Sequence, residues 1–279
     1  VILTFHQTSN QLICHYCNTK YPLELTQRGN QNITYLGYGT EKLELMLNQL
    51  FPKASILRMD SDSANSANKQ TIFLNKFKKG DYNILLGTQM IAKGLDFDNV
   101  TLVAIINADL GMMIPDFKSH EKTFQLIYQV IGRSGRRENK GKAIIQTYHP
   151  DNHIIQMATN YESKKFYNLQ LESRKALCYP PFIRLIRIIF QSENINICKK
   201  TAFKIFDILK VPFHKFIIGP FPCPIEKLSY KSRYHIIFKI PHSKLKWALK
   251  KINDVQDKKQ SLISKNVKML IDVDAHSVL

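Results

Sequence analysis

From Ile33 to Thr147, strand-length apolar runs alternate with stretches whose apolar residues recur at helical spacing, and few architectures accept that order. Ile33 to Leu36, Ser55 to Met59, Asn83 to Leu86, Val100 to Ile106 and Lys142 to Thr147 read as strands. Helical patterns run from Glu41 to Leu50, with Thr40 as cap and Leu43, Leu47 and Leu50 on one face, and from Asn68 to Lys79, with Ile72, Phe73 and Phe77 inward. A further helix is expected from Glu121 to Ile131. The alternation predicts an α/β unit over residues 37–150, with a parallel sheet covered by helices on both faces and ligands at the carboxyl ends of the strands.

His149-Pro150 closes that unit, and residues 151–178 read as a helical connector with charge on its solvent face. Tyr179-Pro180-Pro181 is a hard stop, because each Pro lacks a donor and Pro180 also restrains Tyr179. A smaller domain is expected over 179–279. Its order is strand Arg184 to Phe190, helix Asn194 to Leu209, strands Phe216 to Gly219 and Tyr234 to Ile240, helix Ser243 to Ile252 and strand Val267 to Val273. This βαββαβ succession predicts a ferredoxin-like α+β fold. Residues 1–36 are polar and poor in pattern, an irregular hairpin or insert around CHYC.

Two segments carry the chemistry. Gly87-Thr88-Gln89-Met90-Ile91-Ala92-Lys93-Gly94-Leu95-Asp96-Phe97 leaves the carboxyl end of a buried strand, where hydroxyl, amide and ammonium groups suit phosphate and sugar contacts that position a strand without reading its sequence. Gln129 to Arg137, QVIGRSGRR, sets Gln129, Arg133 and Arg136 at a helix end punctuated by Gly132 and Gly135. A guanidinium is always charged and forks onto phosphate oxygens. The alternative is a basic helix end placed favourably in the helix dipole. The phosphate cradle G-x-x-x-x-G-K-[ST] does not occur in the chain; Gly135 to Ala143 comes nearest, with one residue too many between its glycines and Ala143 in place of a hydroxyl.

The formal charge of +18 suits a polyanionic partner, although a compositional bias toward Lys, Asn and Ile would supply the same lysines without making a patch. Lys227, Tyr230, Lys231, Arg233 and Tyr234, interleaved within Glu226 to Tyr234, suit stacking on bases and gripping of phosphates; a solvated hairpin is the alternative. No apolar run reaches the roughly 18 residues of a membrane span. The chain opens at Val1 with no charged and apolar leader, so either a natural start has been removed or the chain is a fragment. Five cysteines, odd in number and irregular in spacing, argue against a secreted disulfide framework and for a reducing cytoplasm. Cys178, Cys198 and Cys223 are expected as buried small hydrophobes. Cys14 and Cys17 form one C-x-x-C, half of a tetrahedral zinc site, which His6 or His15 could complete.

Gly87 to Gly94, Asp96-Phe97, Gln129, Gly132-Arg133 and Gly135-Arg136 resemble motifs V and VI of superfamily 2 helicases. With CHYC at Cys14, LGYGTEKLE at Leu36, YPPF at Tyr179, GPFPCPI at Gly219 and DVD at Asp272, the chain resembles the carboxyl-terminal part of the PriA replication-restart helicases, primosomal protein N′. The resemblance implies a RecA-like second lobe over 37–150 and a DNA-binding domain over 179–279. It makes residues 1–36 the remnant of a zinc-binding insert. It assigns Arg136 the arginine-finger role, Arg133 and Gln129 contacts to the γ-phosphate, Asp96 and Gly94 a place near the nucleotide, and Thr88, Gln89 and Lys93 contacts to DNA. A turn or cap role for Asp96 stays open.

By the same resemblance the cofactor is ATP with Mg²⁺, shared with a first lobe that would carry the cradle. The partners are forked and single-stranded DNA, primosome proteins, the replicative helicase loader and single-stranded DNA-binding protein. The family binds two zinc ions through eight cysteines. Here the pair expected after CHYC is missing, so this chain alone is expected to hold less than one zinc, and to be inactive as an ATPase. A branched-DNA-binding protein without catalysis and an unrelated α/β nucleotide enzyme remain the other readings; neither G-x-G-x-x-G nor a nucleophile elbow supports the last.

Overall fold

The structure is a computed structural model that describes residues 4–6, 11–13, 20–22, 39–60, 67–88, 91, 97, 99–132, 141–258 and 262–279. Two compact units form, one from Asn32–Ile114 and Ser119–Phe166, the other from Val1–Gln31, Pro115–Lys118 and Tyr167–Leu279. The strand expected at Ile33 to Leu36 lies outside the described residues. Near the amino terminus β1 (Thr4–His6), β2 (Gln11–Ile13) and β3 (Lys20–Pro22) form an antiparallel sheet.

The first unit contains α1 (Thr40–Leu50), β4 (Ile56–Met59), α2 (Ala67–Lys79), β5 (Ile84–Gly87), β6 (Leu102–Ile105), α3 (Asp109–Met112), α4 (Ser119–Ile131), β7 (Lys142–Ile145) and α5 (His153–Thr159). Among the described residues its strands pair as two parallel ladders, β4 with β5 and β6 with β7, where one continuous sheet was expected. Thr40 is not the cap of α1. Gly39 holds that position, and the Thr40 hydroxyl donates instead to Asp60 at 2.7 Å. Leu50 and Ile72, expected inward, are exposed. α4 buries Thr123, Phe124, Ile127 and Val130, the i, i+1, i+4, i+7 stripe of an amphipathic helix. Phe124 stacks on Phe166, the ring centroids 3.9 Å apart, and α5 adds Ile154, Ile155, Met157 and Ala158 to the same cluster. Part of the stretch read as a charged connector is therefore core. Gly87 ends β5 where a Cβ would lie 2.3 Å from the Met59 carbonyl oxygen, so only glycine allows this approach of the strand ends.

The second unit continues through α6 (Ser163–Ala176), whose first turn belongs to the first unit, then β8 (Arg184–Ser192), α7 (Ile195–Phe213), β9 (Ile217–Leu228), β10 (Lys231–Ile240), α8 (Leu245–Asp257) and β11 (Lys268–Val273). The strand–helix–strand–strand–helix–strand order is that of the sequence reading. The strands lie in the order β11-β8-β10-β9, every neighbour antiparallel. Asn194 caps α7, its side-chain oxygen accepting from the amides of Asn196 and Ile197. One sheet face, with Ile186, Ile188, Phe190, Ile236 and Phe238, packs on Ala202, Ile205 and Leu209 of α7 and Ala248 and Ile252 of α8. Within this unit Phe117 of the Pro115–Lys118 segment stacks on Tyr179 at 4.9 Å, with Arg174 over Phe117 and the Lys239 ammonium 4.0 Å from the Tyr179 ring centre. The Ser277 hydroxyl donates to Asp116. Cys198 and Cys223 are buried as expected, whereas Cys178 is exposed at positive φ, in the turn that follows α6.

Candidate nucleotide and nucleic-acid sites

Register sets Met59 opposite Gly87, so β4 and β5 end level with each other. Thr88 follows at once and is exposed; its carbonyl oxygen accepts from the Ile91 amide at 3.2 Å. Beside it, Asp60 is 6% exposed and faces Arg58 at 3.4 Å, while Glu41 and Glu44 lie 3.5 Å and 3.4 Å from the same guanidinium. The sequence reading did not assign this ion cluster. Its signal is the R-M-D spacing, which puts Arg58 and Asp60 on one face at a strand end. At the other ladder Asn107 accepts from the amides of Asp109 and Leu110. Buried Asp109 in turn accepts from the Thr147 hydroxyl at 2.8 Å and the Tyr148 amide at 2.9 Å. With those partners Asp109 fixes the loop that follows β7, a structural use of a carboxylate.

Gln129 occupies the last turn of α4 on its exposed side, opposite the stripe buried in the core. The helix closes at Gly132, whose amide donates to the Tyr128 carbonyl oxygen. Arg133 and Arg136 lie outside the described residues, as do Gln89, Lys93, Gly94 and Asp96, and Cys14, His15 and Cys17. Among the described residues no group of three or more His, Cys, Asp or Glu side chains could hold a metal ion. No described helix is long and apolar enough to cross a membrane.

The basic and aromatic hairpin is tighter than the sequence reading had it. β9 runs to Leu228 and β10 begins at Lys231, leaving a two-residue turn, Ser229-Tyr230, with φ of 48° and 66°. Lys227, Tyr230 and Lys231 are exposed together at this tip. Arg233 is not with them. It is 7% exposed and donates to the carbonyl oxygens of Ile225 and Leu279. Tyr234 packs against the helix-side core. Strand alternation carries Arg233 to the face opposite the helices, away from the open tip.

Residues 7–138 match the family described as "Helicase conserved C-terminal domain", and residues 175–276 match "Primosomal protein N C-terminal domain". The parallel strands ending level at Gly87 and the helix that carries Gln129 thus fall within a helicase carboxyl-terminal domain. The chain is similar to replication restart protein PriA of Bacillus subtilis, 37% identical over 100% of this chain and 35% of that protein. It is 38% identical to PriA of Chlamydia pneumoniae, over 98% of this chain and 37% of the relative, and 39% identical to PriA of Borreliella burgdorferi, over 85% and 36%. The chain belongs to the PriA family, corresponding to a carboxyl-terminal part of it, and spans about a third of the length of these relatives.

Proposed function

We propose that this chain forms the second motor lobe and carboxyl-terminal domain of an ATP-dependent 3′ to 5′ DNA helicase that recognises stalled or branched replication forks in the cytoplasm and initiates primosome assembly. The observation that carries the reading is the exposed Gln129 at the end of a helix anchored by its buried face, directly before Arg133 and Arg136. Family membership over both units supports it and favours it over a purely DNA-binding role. In this reading the first unit is RecA-like and the second ferredoxin-like. ATP with Mg²⁺ is held between this lobe and another that supplies the phosphate cradle. Gln129 and Arg133 contact the γ-phosphate, Gly94 and Asp96 lie near the nucleotide, and Arg136 meets charge developing on the phosphoryl group in flight. Thr88, Gln89 and Lys93 follow the DNA backbone, and Lys227, Tyr230 and Lys231 grip an exposed strand. Arg233, being buried, is withdrawn from that set. Cys14 and Cys17 supply two thiolates, half of a zinc site that this chain by itself leaves incomplete. Fork DNA, single-stranded DNA-binding protein, the helicase loader and other primosome proteins are the partners.

In a complete protein Arg136→Ala is expected to lower DNA-stimulated ATP turnover by about 10³-fold while leaving fork affinity nearly unchanged. Arg136→Lys rescues little, because an ammonium cannot reproduce the planar two-pronged contact. Steady-state ATPase assays decide it: turnover within a few-fold of the parent for Arg136→Ala would make QVIGRSGRR a basic helix end.

A further inference from the structure

The first unit fixes an exposed loop that the proposed motor does not use. Asp109 is 2% exposed, and its two carboxylate oxygens accept from the Thr147 hydroxyl at 2.8 Å and the Tyr148 amide at 2.9 Å. The Thr147 hydroxyl oxygen accepts in turn from the His149 amide at 3.0 Å. The Asn152 amide donates to the His149 carbonyl oxygen at 3.0 Å, closing a turn whose second residue is Pro150. Gln156 Nε2 donates to the Pro150 carbonyl oxygen at 2.7 Å. A buried carboxylate is costly unless its oxygens are hydrogen-bonded, and here both oxygens serve neighbouring residues of one loop.

That loop carries an aromatic ring into water. Tyr148 is 75% exposed, more than any other Tyr, Phe or Trp among the described residues. Among the described residues its ring stacks on no other ring. His149 beside it is exposed as well. β6 and β7 are parallel, with Ile105 opposite Ile145, so residues 107–109 and 147–149 lie at the same, carboxyl end of the ladder. That is the end at which parallel sheets take ligands. A ring on an already fixed backbone loses little freedom when it stacks, so the contact is not offset by ordering a loop. Every base has a face that an aromatic ring can meet, which suits a motor that follows a strand without reading its sequence.

We propose that Tyr148, on the loop that Asp109 fixes, is a stacking platform for one unpaired base of single-stranded DNA. The proposal rests on the helicase reading, which brings a single strand to this lobe, and it adds a contact with a base to the backbone contacts assigned above.

Fluorescence anisotropy at one low salt concentration tests it, with the whole chain binding a short thymidine strand and the same strand lacking its bases. Because the Tyr148 side chain is exposed, its replacement leaves the core intact. Tyr148→Leu should weaken binding to the thymidine strand by about 5- to 100-fold and leave binding to the abasic strand unchanged. Tyr148→Phe should bind the thymidine strand as the parent does, since stacking needs the ring and not the hydroxyl. An equal loss on both strands would set Tyr148 against the backbone, and no loss on either would leave it facing solvent. Each of these results overturns the proposal, while the parent's own affinity for the strand preserves the helicase reading. A parent chain that binds neither strand overturns both.

Discussion

His235 shows how a residue's surroundings fix its charge. Burial, then the charges of Arg187 and Arg233, lower its pKa from 6.5 to about 4. The geometry agrees, because Nδ1 accepts from Arg187 Nε and must be unprotonated to do so. In the unfolded chain the imidazole binds a proton near pH 6.5, in the folded chain only near 4, so between these values the unfolded state holds more protons and stability falls with falling pH. The contribution is complete above about pH 6.5 and is lost by about pH 4, a change on the order of 3 kcal/mol. Chemical denaturation of His235→Gln across that window should show a flatter profile than the parent, and an identical slope would refute the assignment. Arg187 itself was hidden in the sequence, since RLIRIIF reads as one apolar strand and nothing in its pattern tells whether the second face meets water or protein.

At the scale of elements, the two-residue turn between β9 and β10 carries both of its residues at positive φ, a conformation that favours Asn and Gly over Ser and Tyr. Ser229→Asn with Tyr230→Gly should therefore stabilise the second unit by about 0.5–2 kcal/mol. If Tyr230 stacks on a base, the same pair weakens single-stranded DNA binding by about 1–3 kcal/mol. Opposite signs in an unfolding titration and a binding isotherm support the tip as a DNA contact; affinity unchanged would make it a solvated hairpin. The sequence reading ended this strand at Gly219, whereas β9 continues through Pro220, Pro222 and Pro224 to Leu228. β9 lies at the edge of its sheet, where prolines two residues apart can all turn their missing donors outward. The longer helices and most strands were legible from periodicity, but α3 was not expected, and α5 and α6 were read as one connector. Thr40 was misjudged as a cap because its hydroxyl serves Asp60, a partner 20 positions away that no local pattern announces.

For the molecule as a whole, the excess of 40 Lys and Arg over 22 Asp and Glu predicts a steep salt dependence. If six or more phosphates are neutralised, affinity for fork or single-stranded DNA should fall by about 10³-fold or more between 50 and 200 mM salt. Fluorescence anisotropy at stepped salt measures the slope, and a flat response would assign the lysines to composition alone. Residue types at a spacing suggest a motif, but spacing does not say which exposed groups share a surface, and so Arg233 was grouped with the hairpin tip.

The excursion Pro115–Lys118 has a consequence for modularity. A unit drawn from separate stretches of chain cannot be moved between proteins as one contiguous cassette. A graft beginning at Tyr167 would leave behind the ring that stacks on Tyr179 and the carboxylate that accepts from Ser277. Recombination at that boundary therefore cuts through a shared structural element, and inheritance of the two halves together is favoured by packing before any demand of catalysis is considered.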